Sequence, residues 1–264
     1  MLKKVVVALV ACVVSLTAGP ALGITYGELD GNRHPAVGAM IRLRPSDNTL
    51  RLTCSGSLIS PTVFLTASHC TSFVESTGQT DIWVTFDSTF DSRSKLLHGT
   101  MHTNPLFNHS QSDSQDIAVI VLDRPVKGIT PVDLPPAGLL DQMKADGSLN
   151  GTLFTSVGYG TQEPQRAPGG IQNAFDGQRR FAVGEFSALN ASYLRISQNV
   201  HAGSGGTCSG DSGGPQFLGA GGDETNTVVS ITITGDVFCT ATNVDYRLDT
   251  PSARAFLDDF VTLP

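Results

Sequence analysis

The apolar segments of this chain are short, and their length limits the folds that are open to it. Six runs of five to seven residues are rich in β-branched side chains: "VGAMIRL" (37–43), "TVFLTA" (62–67), "DIWVTF" (81–86), "DIAVIVL" (116–122), "YLRIS" (193–197) and "VVSITIT" (228–234). Ile82, Val84 and Phe86 alternate with other residues, which is the two-residue period of a strand with one buried face. Glycine- and proline-rich pieces separate the runs. This pattern predicts an all-β sandwich or barrel.

Two further segments organise the chain. "DRPVKGITPVDLPPAGLL" (123–140) is rich in proline and predicts an extended connector between two β halves, 24–130 and 131–264. One helix is predicted, at the C-terminal end. Thr250 can cap it, Pro251 suits its first turn, and Phe256 and Phe260 have the i, i+4 spacing of one helix face.

The first 23 residues have the pattern of a secretory signal peptide. Lys3 and Lys4 precede an apolar run, and the small residues of "AGPALG" favour cleavage before Ile24. A secreted chain of 241 residues would remain, with no later stretch long enough to span a membrane. "LVAC" (9–12) leaves lipidation as a weaker alternative.

Four cysteines remain after Cys12 leaves with the signal peptide: Cys54, Cys70, Cys208 and Cys239. An even number in a secreted chain predicts two disulfides, with three pairings open. Metal binding is disfavoured because no Cys-x-x-Cys pair occurs. His98 and His102 have metal-binding spacing only if they lie on a helix, and Gly99 and the Asn-Pro pair at 104–105 predict a loop instead.

The net charge argues against a nucleic-acid partner. It is −7 for the full chain and becomes −9 when Lys3 and Lys4 are removed. Phosphate contacts need clustered Lys and Arg, which an acidic chain does not supply.

Three short motifs suggest nucleophilic catalysis. "GTCSGDSGGP" (206–215) presents Ser212 on a glycine-rich turn. A serine hydroxyl needs a base, and the base needs a group that orients it. His69 follows an apolar run in "LTASHC", and Asp116 opens the buried run "DIAVIVL". These two residues are the candidate base and its partner.

"TASHC", "DIAVIVL" and "GDSGGP", in this order, resemble the catalytic signatures of the trypsin/chymotrypsin-like serine endopeptidases. "CSGSLISPTVFLTASHC", "SVGYG" and the C-terminal segment extend the resemblance over most of residues 24–261. The resemblance implies two packed six-stranded antiparallel β-barrels with a C-terminal helix. His69 and Asp116 would lie on the first barrel (24–130), and Ser212 on the second (131–264).

The resemblance also implies a role for each residue of the site. Ser212 would be the nucleophile, His69 the base and Asp116 its orienting partner, with the amides of Gly210 and Ser212 as the oxyanion hole. Cys54 would pair with Cys70 and Cys208 with Cys239.

Cleavage before Ile24 would free an ammonium group that pairs with the carboxylate of Asp211. The chain departs from the family here, because it reads Ile-Thr-Tyr-Gly where Ile-Val-Gly-Gly is usual. The residue before Ile24 is a glycine, so activation by a trypsin-like cleavage is not expected.

The substrate pocket is assigned by the same resemblance to Gly206, Thr207, Ser230, Ile231, Thr232 and Val244. Gly206 stands where trypsin-like enzymes have an aspartate, so a small or medium apolar residue is expected before the scissile bond. If the alignment slips in the long Ser230–Cys239 loop, Asp236 or Asp245 could enter the pocket and favour basic residues.

The predicted function is therefore a secreted serine endopeptidase without a cofactor or metal. Its partners would be protein or peptide substrates and proteinaceous inhibitors; a monomer is expected, with no membrane contact after signal cleavage. A protease-fold binding protein without catalysis is the first alternative. An α/β-type esterase is the second, although its histidine would follow the serine in the chain.

Overall fold

A computed structural model describes residues 24–167 and 170–264, and the side chains of 164–167 and 170–173 are left aside. The predicted signal peptide lies outside the described residues. Each of the six apolar runs contains or forms a strand. The alternation in 81–86 holds for its first part, since Ile82 and Val84 are fully buried and Trp83 between them is not; Thr85 is also fully buried and Phe86 only partly.

The first barrel is closed by six antiparallel strands. They follow the order β2-β3-β4-β7-β6-β5 around the barrel, with the bounds β2 Val37–Arg44, β3 Thr49–Ser60, β4 Val63–Thr66, β5 Ile82–Thr85, β6 Leu97–Thr103 and β7 Ala118–Leu122.

The second barrel also has six antiparallel strands, closed by the pairing of β11 with β8. The short strand β1 (Glu28–Leu29) adds to β11 from outside, and β9 (Pro164–Ala167) and β10 (Gly170–Asn173) form a separate hairpin. The barrel strands are β8 Leu153–Gly158, β11 Arg180–Leu189, β12 Tyr193–Ser197, β13 Pro215–Leu218, β14 Val228–Gly235 and β15 Thr242–Arg247. The predicted fold class is confirmed.

The two barrels share an apolar interface. One buried cluster runs from Met40 and Phe64 in the first barrel to Val157, Tyr159 and Phe217 in the second. The predicted connector crosses this boundary: the amide of Val132 donates to Leu58 of β3, and the amide of Asp133 donates to Asn226 beside β14. The two barrels are therefore packed directly against each other.

Three α-helices occur among the described residues: α1 Ser68–Ser76, α2 Leu139–Ala145 and α3 Pro251–Leu257. The prediction of α3 is confirmed, because Thr250 Oγ1 accepts a bond from Ala253 N and Pro251 occupies the first turn. Sequence reasoning missed α1, and placed the start of α2 in the connector. No helix in the described ranges is long and apolar enough to cross a membrane.

Candidate functional site

His69 lies in the first turn of α1, directly after β4, and Asp116 lies just before β7. His69 Nδ1 is 2.8 Å from Asp116 Oδ2, and the His69 amide donates to Asp116 Oδ1 at 2.8 Å. Asp116 is 6% exposed, whereas about a third of the His69 side chain is exposed. A carboxylate only accepts, so it holds the proton on Nδ1 and leaves Nε2 of the neutral ring as a base that solvent can reach.

Hydrogen bonds to residues just after β6 and just before β7 hold α1 in place. Ser68 Oγ donates to the Ile117 carbonyl at 2.7 Å and accepts from the Asn104 amide at 3.1 Å. The disulfide Cys54–Cys70 joins the helix to β3. Both contacts lie one residue from His69 or Asp116, so they keep these two side chains in register.

Ser212 lies on the loop before β13 and is partly exposed. Its carbonyl accepts a bond from the amide of Ser55 on β3 at 2.9 Å, and Cys70 Sγ lies 3.9 Å from the same oxygen. The disulfide Cys208–Cys239 ties this loop to the loop after β14. The second-barrel loop is thus fastened against the residue that follows His69, and the disulfide pairing is the one that the resemblance implied.

On the Ser212 loop, the amides on either side of Asp211 differ from their neighbours in their hydrogen bonding. Within the described ranges, the N–H groups of Gly210 and Ser212 donate no hydrogen bond, whereas those of Asp211, Gly213 and Gly214 all do. Gly210 has φ +97°, which a side chain would strain. Two adjacent unpaired donors beside a serine hydroxyl can receive an oxyanion.

Ser55 holds the carbonyls of this loop. Besides its amide bond to Ser212, its Oγ donates to the Gly210 carbonyl at 3.0 Å and accepts from the Tyr159 amide at 3.0 Å. Because the carbonyls of Gly210 and Ser212 are both directed at β3, their neighbouring amides are left for the cleft. Sequence reasoning missed Ser55, since nothing local marks it.

Asp211 is fully buried, and two backbone amides bind its carboxylate: Gly160 N to Oδ1 at 2.7 Å and Cys208 N to Oδ2 at 2.9 Å. A Cβ on Gly160 would lie 2.4 Å from this carboxylate, so the close approach needs glycine. Burial raises the pKa of Asp211 to about 7, against the effect of both hydrogen bonds.

Ile24 is 1% exposed, and Thr25 pairs with Gly206 through the bond Gly206 N to Thr25 O, 3.0 Å. Tyr26 stands where the family has glycine and has φ +57°, a left-handed conformation that costs about 1–2 kcal/mol for such a residue. In this chain the nitrogen of Ile24 is a peptide nitrogen. The predicted ion pair with Asp211 would form only after cleavage.

A cavity of about 250 Å³ opens beside Ser212. Its walls are the disulfide, part of β14 and the loop that follows it; they comprise Thr207, Cys208, Ser209, Ser212, Thr232, Ile233, Thr234, Gly235, Asp236, Val237 and Cys239. Thr207 and Thr232 lie on the cavity as assigned from the sequence.

The other residues assigned to the pocket, Gly206, Ser230, Ile231 and Val244, do not line this cavity. Ser230 and Ile231 are fully buried between β13 and β15, and Thr232 to Thr234 form the wall. The register shifts between Thr232 and Thr234, which brings Val244 onto a neighbouring cavity. Gly206 does not line the cavity either; a Cβ there would lie 2.4 Å from the Gln198 side chain.

The two aspartates that could have supplied charge are both engaged. Asp236 accepts bonds from four amides of its own loop, those of Phe238, Thr240, Ala241 and Thr242. Asp245 is fully buried behind the cavity, where Gln216 Nε2 and Asn243 Nδ2 donate to Oδ1 at 3.0 and 2.7 Å. Burial raises the pKa of Asp245 to about 8. Neither carboxylate forms the base of the cavity.

The cysteines and histidines considered as metal ligands have other partners in the structure. Sγ of Cys54 and of Cys70 lie near a His69 ring nitrogen, but the two cysteines form a disulfide and offer no thiolate. His98 and His102 lie on β6, not in the predicted loop. His98 faces Asp123 and Asp81, and the His102 ring packs on Phe260 at 5.1 Å.

Three comparisons place this chain among known proteins. Residues 30–256 match the family described as Trypsin. The chain is 32% identical over 189 residues to glucanase inhibitor protein 4 of Phytophthora infestans, and the match covers 69% of each protein. The fold is similar to the solved structure of HL collagenase at 1.7 Å resolution, with a TM-score of 0.64 and 14% identity over 89% of this chain and 98% of the other.

Proposed function

The chain belongs to the trypsin family, and from this premise we propose that it is a secreted serine endopeptidase. One arrangement supports the proposal: His69 is paired with Asp116 at 2.8 Å, and the carbonyl of Ser212 lies 3.9 Å from Sγ of Cys70, the residue after His69. The amides of Ser212 and Gly210 donate no hydrogen bond within the described residues. An oriented base, a hydroxyl and two free donors are the parts that acyl transfer requires. Residues 1–23 would direct export, and the two disulfides suit an oxidising compartment.

In the proposed reaction, Ser212 Oγ attacks the carbonyl carbon of the scissile bond while His69 Nε2 accepts its proton. The amides of Gly210 and Ser212 stabilise the negative oxygen of the tetrahedral intermediate. His69 then protonates the leaving amine, and the peptide bond breaks to leave an acyl group on Ser212. Water, deprotonated by His69, releases this acyl group.

The edge of β14 offers a place for the substrate backbone. β13 pairs with β14 as far as Ile231, and loop residues Gly213 and Gly214 bond Thr232. Beyond Thr232 the register gives β14 no neighbour on this side. An extended peptide could add there as a further strand, with alternate side chains entering the adjoining cavities.

We propose a small or medium apolar residue before the scissile bond. The cavity beside Ser212 is about 250 Å³, and the carboxylate of Asp236 in its wall is already bound by four amides of its own loop. Thr207 Oγ1 already donates to Asn243 Oδ1 at 2.7 Å, so its hydrogen is not free for a ligand. A peptide-library scan in which Arg and Lys dominate would contradict this preference.

An intact-mass spectrum after treatment with a fluorophosphonate probe tests the proposed activity. We expect one adduct on the secreted protein that starts at Ile24, and none on Ser212→Ala. If the wild type starts at Ile24, has both disulfides and remains unlabelled, the endopeptidase proposal fails.

The similarity to a glucanase inhibitor protein favours a second candidate function. In it the cleft surface binds a glucanase, and catalysis is not needed. Inhibition of an endoglucanase by Ser212→Ala, equal to that by the wild type, would support this candidate. Absence of inhibition by both proteins, together with fluorophosphonate labelling of the wild type, would leave the endopeptidase.

A further inference from the structure

A second cavity, of about 570 Å³, adjoins the one beside Ser212 along Ile233 and Thr234. His69 and Asp116 form part of its wall, so a peptide on the β14 edge would pass over it. We infer that this cavity is a subsite for an acidic side chain of the peptide, and that the guanidinium of Arg195 binds its carboxylate. The inference rests on the proposed function.

Arg195 is a cation without a counter-charge. It lies on β12 with an exposed side chain that lines the cavity. No carboxylate of the described residues lies within ion-pair distance of it, although the chain as a whole has 24 acidic residues against 17 basic ones. Asp116 is the one acid in the wall of this cavity, and it is bound to His69.

The surroundings of Arg195 are polar and are held in place by hydrogen bonds. Tyr193, two residues earlier on the same strand, accepts a bond from the Ser114 amide at 2.8 Å and donates to the Ser110 carbonyl at 3.2 Å. These bonds fasten the loop at 107–114 to β12. Besides Phe107 and His109, the loop contributes the uncharged polar residues Asn108, Ser110, Gln111 and Ser114 to the wall.

The position of the acidic residue follows from strand geometry. Side chains that point to the same face of a strand are about 7 Å apart. A peptide whose residue before the scissile bond enters the first cavity would place a residue two to four positions before that bond over the second. A planar guanidinium can hold a carboxylate there with two parallel hydrogen bonds.

Binding of peptides to the Ser212→Ala protein tests this inference without requiring catalysis. Fluorescent peptides that differ only by Glu, Gln or Lys at the second, third or fourth position before the bond would be titrated by anisotropy. At one position we expect Glu to bind roughly fivefold more tightly than Gln, with the difference shrinking as NaCl rises.

Arg195→Gln should abolish this preference and Arg195→Glu should reverse it toward Lys. Arg124→Gln removes the same charge from an exposed position outside the cavity and should keep the preference. Equal binding of Glu and Gln peptides at every position overturns the inference, as does a preference that survives in Arg195→Gln. Fluorophosphonate labelling of the wild type separates that result from a failure of the proposed function.

Discussion

The two halves of the candidate site differ in how completely the uncleaved chain assembles them. On the first barrel, Asp116 is paired with the ring and the amide of His69. On the second, Asp211 is buried with two amides as its partners and no cation of the described residues within ion-pair distance. Local folding thus pairs the candidate base, whereas the ionised carboxylate beside Ser212 has an electrostatic cost that a bound proton or an added ammonium group would remove.

Breaking the completed half should have the largest effect. In Asp116→Asn the amide would donate toward His69 and force the proton onto Nε2, the wrong tautomer for a base. We expect kcat to fall about 10⁴-fold in hydrolysis of a neutral peptide at pH 8. Circular dichroism should show an unchanged fold, and activity within tenfold of the wild type would rule out this role of Asp116.

The buried carboxyl group of Asp211 should make the free energy of unfolding of the full chain depend on pH. The pKa of Asp211 in the folded full chain is about 7, above its unfolded value, so the folded state holds the extra proton. The free energy of unfolding should therefore fall between pH 4 and 7, by up to about 4 kcal/mol from this group. Urea unfolding of the full-length Ser212→Ala protein measures it.

In the form that begins at Ile24, the ammonium should pair with Asp211 and remove this contribution. Asp211→Asn provides the control, because it should reduce the slope in the full chain to the part that Asp245 contributes, and destabilise the cleaved form by roughly 3–5 kcal/mol. Identical pH profiles for the two forms would mean that Ile24 does not reach Asp211.

Removal of one hydroxyl, that of Ser55, should weaken the link between the two halves of the site. Ser55→Ala removes the bond to the Gly210 carbonyl, and we expect kcat to fall roughly tenfold with little change in KM, equivalent to about 1.4 kcal/mol. Ser57→Ala is the matched control, since Ser57 lies buried on the same strand and its Oγ has no partner among the described residues. Equal kinetics for the two variants would show that Ser55 does not position the loop.

We expect the smallest effect at a charge cluster outside the candidate site in which the charged groups are paired with one another. His34 is bound by Asp30 and by Glu224, and Arg179 donates to Asp30 at 2.7 Å. Burial lowers the pKa of His34, but these two carboxylates outweigh it and raise the pKa. Protonated His34 therefore stabilises the fold below pH 6.5. This stabilisation is lost as the pH rises through the pKa of His34 in the folded protein, and we expect Tm to fall by on the order of a few °C. The substitution His34→Gln should remove this pH dependence of Tm. Calorimetry of the variant and the wild type over the same pH range would show it.

Much of the barrel architecture could be predicted, because each of the short apolar runs rich in β-branched residues contains or forms a strand. The helix α1 could not, because "SHCTSFVES" is poor in strong helix formers and is held by Ser68, the disulfide and the strands around it. Such contacts are tertiary and leave no local pattern.

The candidate site shows the same division. His69, Asp116 and Ser212 could be proposed from three motifs, whereas the motifs do not show which residues of β14 line the cavity beside Ser212. Thr232 to Thr234 line it and Ser230 and Ile231 do not, and the pairing of β14 with β15 is irregular between Thr232 and Thr234. Arg195 was missed because the sequence alone does not show that no carboxylate of the described residues lies within ion-pair distance of it.

The carboxyl group of Asp245 gives the folded protein a store of one proton. With a pKa of about 8 it is neutral when folded at pH 6, yet it ionises once the chain unfolds. Unfolding near neutral pH must therefore release acid into the medium. The heat absorbed in calorimetry will include the ionisation enthalpy of the buffer, so the measured unfolding enthalpy should differ between phosphate and imidazole.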